Sequence, residues 1–75
     1  MTNDDIIWVP VLIGQTNKQP ELAINKTTNK SVAIIEVTQD MQFRVKFTKT
    51  DGTFDPVLEL FQTKDLAKQY IINKL

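Results

Sequence analysis

The sequence has no cysteine and no histidine among its 75 residues. Without cysteine there can be no disulfide and no thiolate metal site. Without histidine, zinc, copper and haem lose their commonest side-chain ligand. The same two absences exclude Cys–His and Ser–His nucleophilic catalysis. A Ser–Lys pair would need a placed serine, and Ser31, the only serine, sits between a polar turn and an apolar run and reads as a turn residue. Glycine is scarce as well. Gly14 and Gly52 stand far apart, so no glycine-rich phosphate loop exists.

A charge excess is also missing. Nine acidic and nine basic residues leave a formal net charge of zero, whereas dedicated nucleic-acid binders carry a basic excess that neutralises phosphate. The apolar run from Ile6 to Ile13 is broken by Pro10 and falls short of the roughly 20 residues that span a bilayer. Asp4 and Asp5 precede it, where a secretory signal would carry basic residues. The expected location is cytoplasmic, with no membrane association. Asn25-Lys26-Thr27 and Asn29-Lys30-Ser31 match the glycosylation triplet. Without a secretory signal they read as chance matches in an Asn/Thr-rich turn.

A chain this short builds one core, so residues 1–75 are expected to form a single domain. Such a domain buries only about 60% of the surface exposed by its unfolded chain. Small folds are usually reinforced by disulfides, metals or oligomerisation. Here self-association or a partner protein is what remains.

Along the chain, Ile6 to Ile13 is rich in β-branched residues and ends at Gly14, and Pro10 confines this strand to an edge or a bulge. Gln15 to Pro20 reads as a loop. Leu22–Asn25 and Val32–Val37 flank the polar turn Lys26–Lys30, a spacing suited to a hairpin. Over Gln42–Phe47, Phe43, Val45 and Phe47 alternate with Gln42, Arg44 and Lys46, the pattern of a strand with one wet face. Asp51-Gly52 is a strong turn signal, after which Val57–Phe61 returns as a strand whose start is set by Pro56.

A helix then opens with Thr63 as N-cap and Asp65 in its first turn. Leu66, Ala67, Tyr70, Ile71 and Leu75 form an apolar stripe, with Lys64, Asp65, Lys68, Gln69 and Asn73 opposite. The fold class is therefore α+β: a small antiparallel sheet of four to five strands with one C-terminal helix packed on one face.

One short helix covers one sheet face, yet Val32-Ala33-Ile34-Ile35 and Ile6 to Ile13 are apolar on both faces. Something must cover the second face. A homodimer, a partner protein or the N-terminal strand folded across could each do it; a homodimer is the expectation, with Trp8, Val32 and Ile34 as interface residues, since tryptophan is over-represented among interface hot spots. Core filling by Trp8 and Tyr70 is the competing reading.

Asp51, Asp55 and Glu59 recur every four residues, but Gly52 and Pro56 rule out the helix that would align them. A paired-carboxylate hydrolase and a calcium loop are both disfavoured. No catalysis, cofactor, metal or small-molecule ligand is expected.

The alternative is a small DNA-binding accessory protein. Arg44, Lys46 and Lys49 would line the outer sheet face, with Lys26 and Lys30 at a hairpin tip. The order strand, strand, strand, helix, with Phe61-Gln62-Thr63-Lys64-Asp65-Leu66-Ala67 opening the helix, resembles the arm-binding domains of phage integrases over about half the chain. The resemblance implies a sheet face laid in the DNA major groove, but the basic excess of those domains is missing. The primary expectation is a non-catalytic interaction or self-association module. Abundant Lys, Asn and Ile suggest an AT-rich bacterial, phage or mobile-element genome.

Overall fold

A computed structural model describes residues 3–11 and 20–75. After a 3-10 turn at Asn3–Asp5 come β1 (Ile6–Pro10), β2 (Glu21–Asn25), β3 (Ser31–Val37), β4 (Phe43–Thr48), β5 (Phe54–Phe61) and the helix α1 (Lys64–Lys74). The five strands form one sheet in sequence order, every neighbouring pair antiparallel. The helix lies on one face, an α+β architecture. The expected end of the first strand at Leu12–Gly14 and the loop at Gln15–Gln19 lie outside the described residues.

The turns follow from local chemistry. In the β2–β3 turn the Asn25 side-chain oxygen accepts the N–H groups of Thr27 (2.8 Å) and Thr28 (3.2 Å). Asn29 adopts a left-handed φ of 59°, which asparagine tolerates better than most residues. In the β4–β5 turn Asp51 Oδ1 accepts the Thr53 N–H (3.0 Å) and hydroxyl (2.6 Å). Gly52 supplies the φ of 89° that would strain a side chain.

Pro10 ends β1, which pairs only with β2 and is an edge strand. The strand expected to begin after Pro56 starts instead at Phe54 and runs through the proline. β5 is the other edge, so a missing N–H there costs no ladder bond on its open side.

The core comprises Ile6, Ala23, Ala33, Ile35, Val45, Ala67 and Ile71, all on the helix side of the sheet or on the helix. Register explains its layout. Trp8, Ala23, Ala33 and Phe47 lie side by side across β1 to β4, and Ile35 pairs with Val45. The helix lies against β3, β4 and β5, where Ala33, Ile35 and Val45 are fully buried, and aromatic residues fill the flanks. Tyr70 packs between Phe61 and Phe47, with ring centroids 5.1 and 6.2 Å away.

Two irregularities adjust the sheet. Ala23 pairs with Ala33 but Ile24 pairs with Ser31, so Val32 is an extra residue in a β-bulge. The bulge turns Val32 against the core. Ser31 beyond it meets Thr48, their hydroxyl oxygens 3.1 Å apart. Between β4 and β5, Arg44 pairs with Leu60 and Lys46 with Pro56. Val57, Leu58 and Glu59 therefore stand opposite the single residue Val45; Val57 packs against the core while Leu58 is 98% exposed.

The helix is rotated from its expected setting. Leu66 and Leu75, assigned to the buried stripe, are exposed, and the buried line runs through Ala67 and Ile71. Lys64 and Lys68, assigned to the wet side, reach Glu21 on β2 at 3.5 and 3.4 Å. Lys68 Nζ also sits 5.0 Å from the centre of the Trp8 ring. The reason is amphipathic: lysine stems cover apolar surface while their ammonium groups meet a carboxylate and an aromatic face.

Thr63 caps the helix by accepting the Leu66 N–H at 3.2 Å. Thr63→Ala is expected to cost about 1 kcal/mol. Ile71→Ala, which empties a fully buried site, is expected to cost about 2–5 kcal/mol. Urea denaturation checks both, and equal costs would contradict this core.

Asp51 is fully exposed, and the Thr53 hydroxyl and then the Thr53 backbone N–H hold its carboxyl below the usual range. A depressed folded-state pKa adds stability above the unfolded pKa, and that contribution disappears as pH falls through the folded value. Asp51→Asn should therefore be less stable than wild type at neutral pH, with the gap closing in strong acid. Urea midpoints at the two pH values test this, and a pH-independent gap would refute it.

Candidate functional site

Strand alternation places one set of side chains on the face away from the helix. Ile7 pairs with Ile24 at one end of this outer face. Across its middle run Val9, Leu22, Ile34, Lys46 and Pro56, each beside the next on the neighbouring strand. Glu36 pairs with Arg44, and Arg44 with Leu60. Thr48 pairs with Phe54. No described residue lies over this face as α1 lies over the other.

Its surface is largely apolar. Ile7, Val9, Phe54 and Leu60 are exposed at 42, 38, 44 and 38%, and Leu22, Ile24 and Ile34 are half-buried by their neighbours. In the midst of these side chains Lys46 forms an ion pair with Glu36. The two stand diagonally across the β3–β4 seam, so the face reads as apolar, then charged, then apolar from β1 to β5. Single exposed hydrophobic residues are ordinary on any protein, but a contiguous apolar face is a feature of binding surfaces.

The three residues expected at an interface are dispersed. Ile34 is central on the outer face, half-buried. Trp8 is half-buried on the helix side, beneath Lys68. Val32 packs against the core through its bulge. The outer-face residues Ile7, Val9, Leu22, Ile24 and Leu60 were not singled out from the sequence, nor was Glu36. The available signal was the run of alternate apolar residues at Ile7 and Val9, opposite in parity to Ile6 and Trp8.

The five basic residues of the DNA reading fall into two groups. Arg44 and Lys46 are on the outer face, Lys46 in its pair with Glu36. Lys26 and Lys30 belong to the β2–β3 turn and Lys49 to the β4–β5 turn. Antiparallel order brings those turns to the same end of the sheet. There Lys30 and Lys49 line one open hollow with Thr28, Ser31, Thr48 and Thr50.

Of the acidic stretch, Asp51 is a turn residue, Asp55 pairs with Phe47, and Glu59 is exposed in the irregular part of β5. Among the described residues no three His, Cys, Asp or Glu side chains converge as metal ligands. No helix of the described residues is long and apolar enough to cross a membrane. In comparisons with known proteins, no family model, no curated protein and no solved structure matches this chain.

Proposed function

We propose that this chain is a small, non-catalytic interaction module that binds protein through the outer face of its sheet. One observation carries the reading: an antiparallel sheet with α1 on one face presents Ile7, Val9, Phe54 and Leu60 to solvent on the other. Antiparallel sheets with one solvated face normally place polar residues there. Burying this apolar surface on association is favourable by about 25 cal/mol per Å². It also supplies the reinforcement that a chain without cysteine cannot obtain from disulfides. A cytoplasmic setting is part of this reading; no helix of the described residues is long and apolar enough to cross a membrane.

A second reading, DNA binding, is favoured by the hollow at the hairpin tips, where Lys30 and Lys49 converge among hydroxyl side chains. Against it, Glu36 offsets Lys46 on the outer face, and the net charge is zero.

A photo-crosslinking residue placed at Ile7 or Leu60 is expected to give a protein adduct in cells. The same group at Gln69, exposed on the helix, is expected to give none. Adducts from Gln69 alone, or from no position, would overturn the reading. In a separate titration at low salt, mixed-sequence duplex DNA should leave the protein unbound. Saturable binding that Lys30→Glu together with Lys49→Glu abolishes would move the function to the second reading.

A further inference from the structure

We infer that the outer sheet face is covered by a second copy of this chain, in a two-fold dimer where Glu36 of each protomer meets Lys46 of the other. This rests on the reading of the outer face as a binding surface, and it names the occupant. A two-fold interface is isologous, so one patch must complement itself. A uniformly basic or acidic patch fails that condition by like-charge repulsion. Here the charges central to the face are of opposite sign at neighbouring positions, Glu36 on β3 and Lys46 on β4. A two-fold axis lying in the interface midway between them sets each over its opposite.

The same axis handles the rest of the face consistently. Ile34 and Leu22 lie close to it, given strands about 4.8 Å apart and residues of one face about 7 Å apart along each strand. They therefore meet their own copies or one another, and Val9 comes over the Ile24 of the second copy. Apolar side chains oppose apolar ones along β1 to β3 while the charges gather at the β3–β4 seam. Arg44, beside Glu36 in register, also falls close to the axis, so it meets its own copy with a Glu36 carboxylate of each protomer beside the pair. Because Glu36 and Lys46 are diagonal neighbours, the axis runs oblique to the strands. The two sheets then cross steeply, in the manner of orthogonal sandwiches.

Five strands span about 24 Å, and the shortest strands, of 5 residues, extend about 17 Å. The flat footprint is on the order of 400 Å² per protomer. Steeply crossed sheets overlap over part of that footprint, which places the surface buried at the low end of specific interfaces.

Sedimentation and light scattering of the full chain at tens of micromolar test the inference. The wild type should be a dimer. Glu36→Lys alone puts lysine against Lys46, and Lys46→Glu alone puts two carboxylates together, so each variant should dissociate at least about tenfold more readily. Mixed in equal amounts, the two variants should form a heterodimer, because every inter-protomer contact again joins opposite charges. The double variant Glu36→Lys with Lys46→Glu should dimerise with itself. Circular dichroism confirms that each variant is folded, and Glu36→Gln, which removes one charge without repulsion, should weaken the dimer less than Glu36→Lys.

If the pair acts only within a protomer, the double variant behaves as wild type but the mixture gains nothing, and the inference falls. It falls too if the single variants dimerise like wild type, or if the wild type is monomeric. A monomeric wild type whose Ile7 crosslinks to a different protein would leave the outer-face reading standing. A monomer giving no adduct would remove both.

Discussion

The structure depends on a mismatch of coverage. A helix of 11 residues is about 16 Å long and about 10 Å wide, while five strands set side by side are about 24 Å across. One such rod can shield only a diagonal band of one face. The helix packs on β3, β4 and β5, over Ala33, Ile35 and Val45, and the flanks carry Trp8, Phe47 and Phe61. Aromatic rings extend the reach of the band by packing beside Tyr70 and beneath Lys68. Among the described residues nothing equivalent lies over the opposite face, where the apolar side chains of alternate parity remain in view.

The charged side chains are sorted by the same geometry. Glu21 sits on the helix side of β2, and Lys64 and Lys68, one turn apart, close on it. Partly exposed ion pairs of this kind contribute at most about 1 kcal/mol each. They accompany the orientation in which Ala67 and Ile71 are buried and Leu66 faces solvent. On the outer face Glu36 and Lys46 hold the corresponding central place. Each face thus carries an opposite-charge contact in an otherwise apolar setting. On one face the contact joins sheet to helix. On the other it lies within the sheet, among the exposed apolar residues of the outer face.

Bulges provide the remaining adjustment. A strict alternation through Ser31–Val37 would put Val32 on the outer face, but the extra residue opposite Ala23 and Ile24 turns it inward. In β5 the irregular segment opposite Val45 exposes Leu58 and shortens the regular ladder at that edge. Irregular edges of this kind resist open-ended strand addition.

Much of this was determined locally by the sequence. The alternation of Phe43, Val45 and Phe47, the Asp51-Gly52 turn, the Thr63 cap and the edge position implied by Pro10 each rest on interactions within a few residues, and each appears in the structure as the sequence implies. Even the surplus of apolar strand surface over helix could be counted from the chain. Only the tertiary structure decided how that surplus is arranged. The side taken by Val32 depends on a bulge against β2, and the setting of α1 depends on which of its stripes the sheet buries, with Lys64 reaching Glu21 more than forty residues before it. The juxtaposition of Glu36 with Lys46 depends on β3–β4 register. Such choices are made by pairing across strands and by the competition for one small buried face. A one-residue change in either exchanges the two sides of a strand, so they belong to the folded whole.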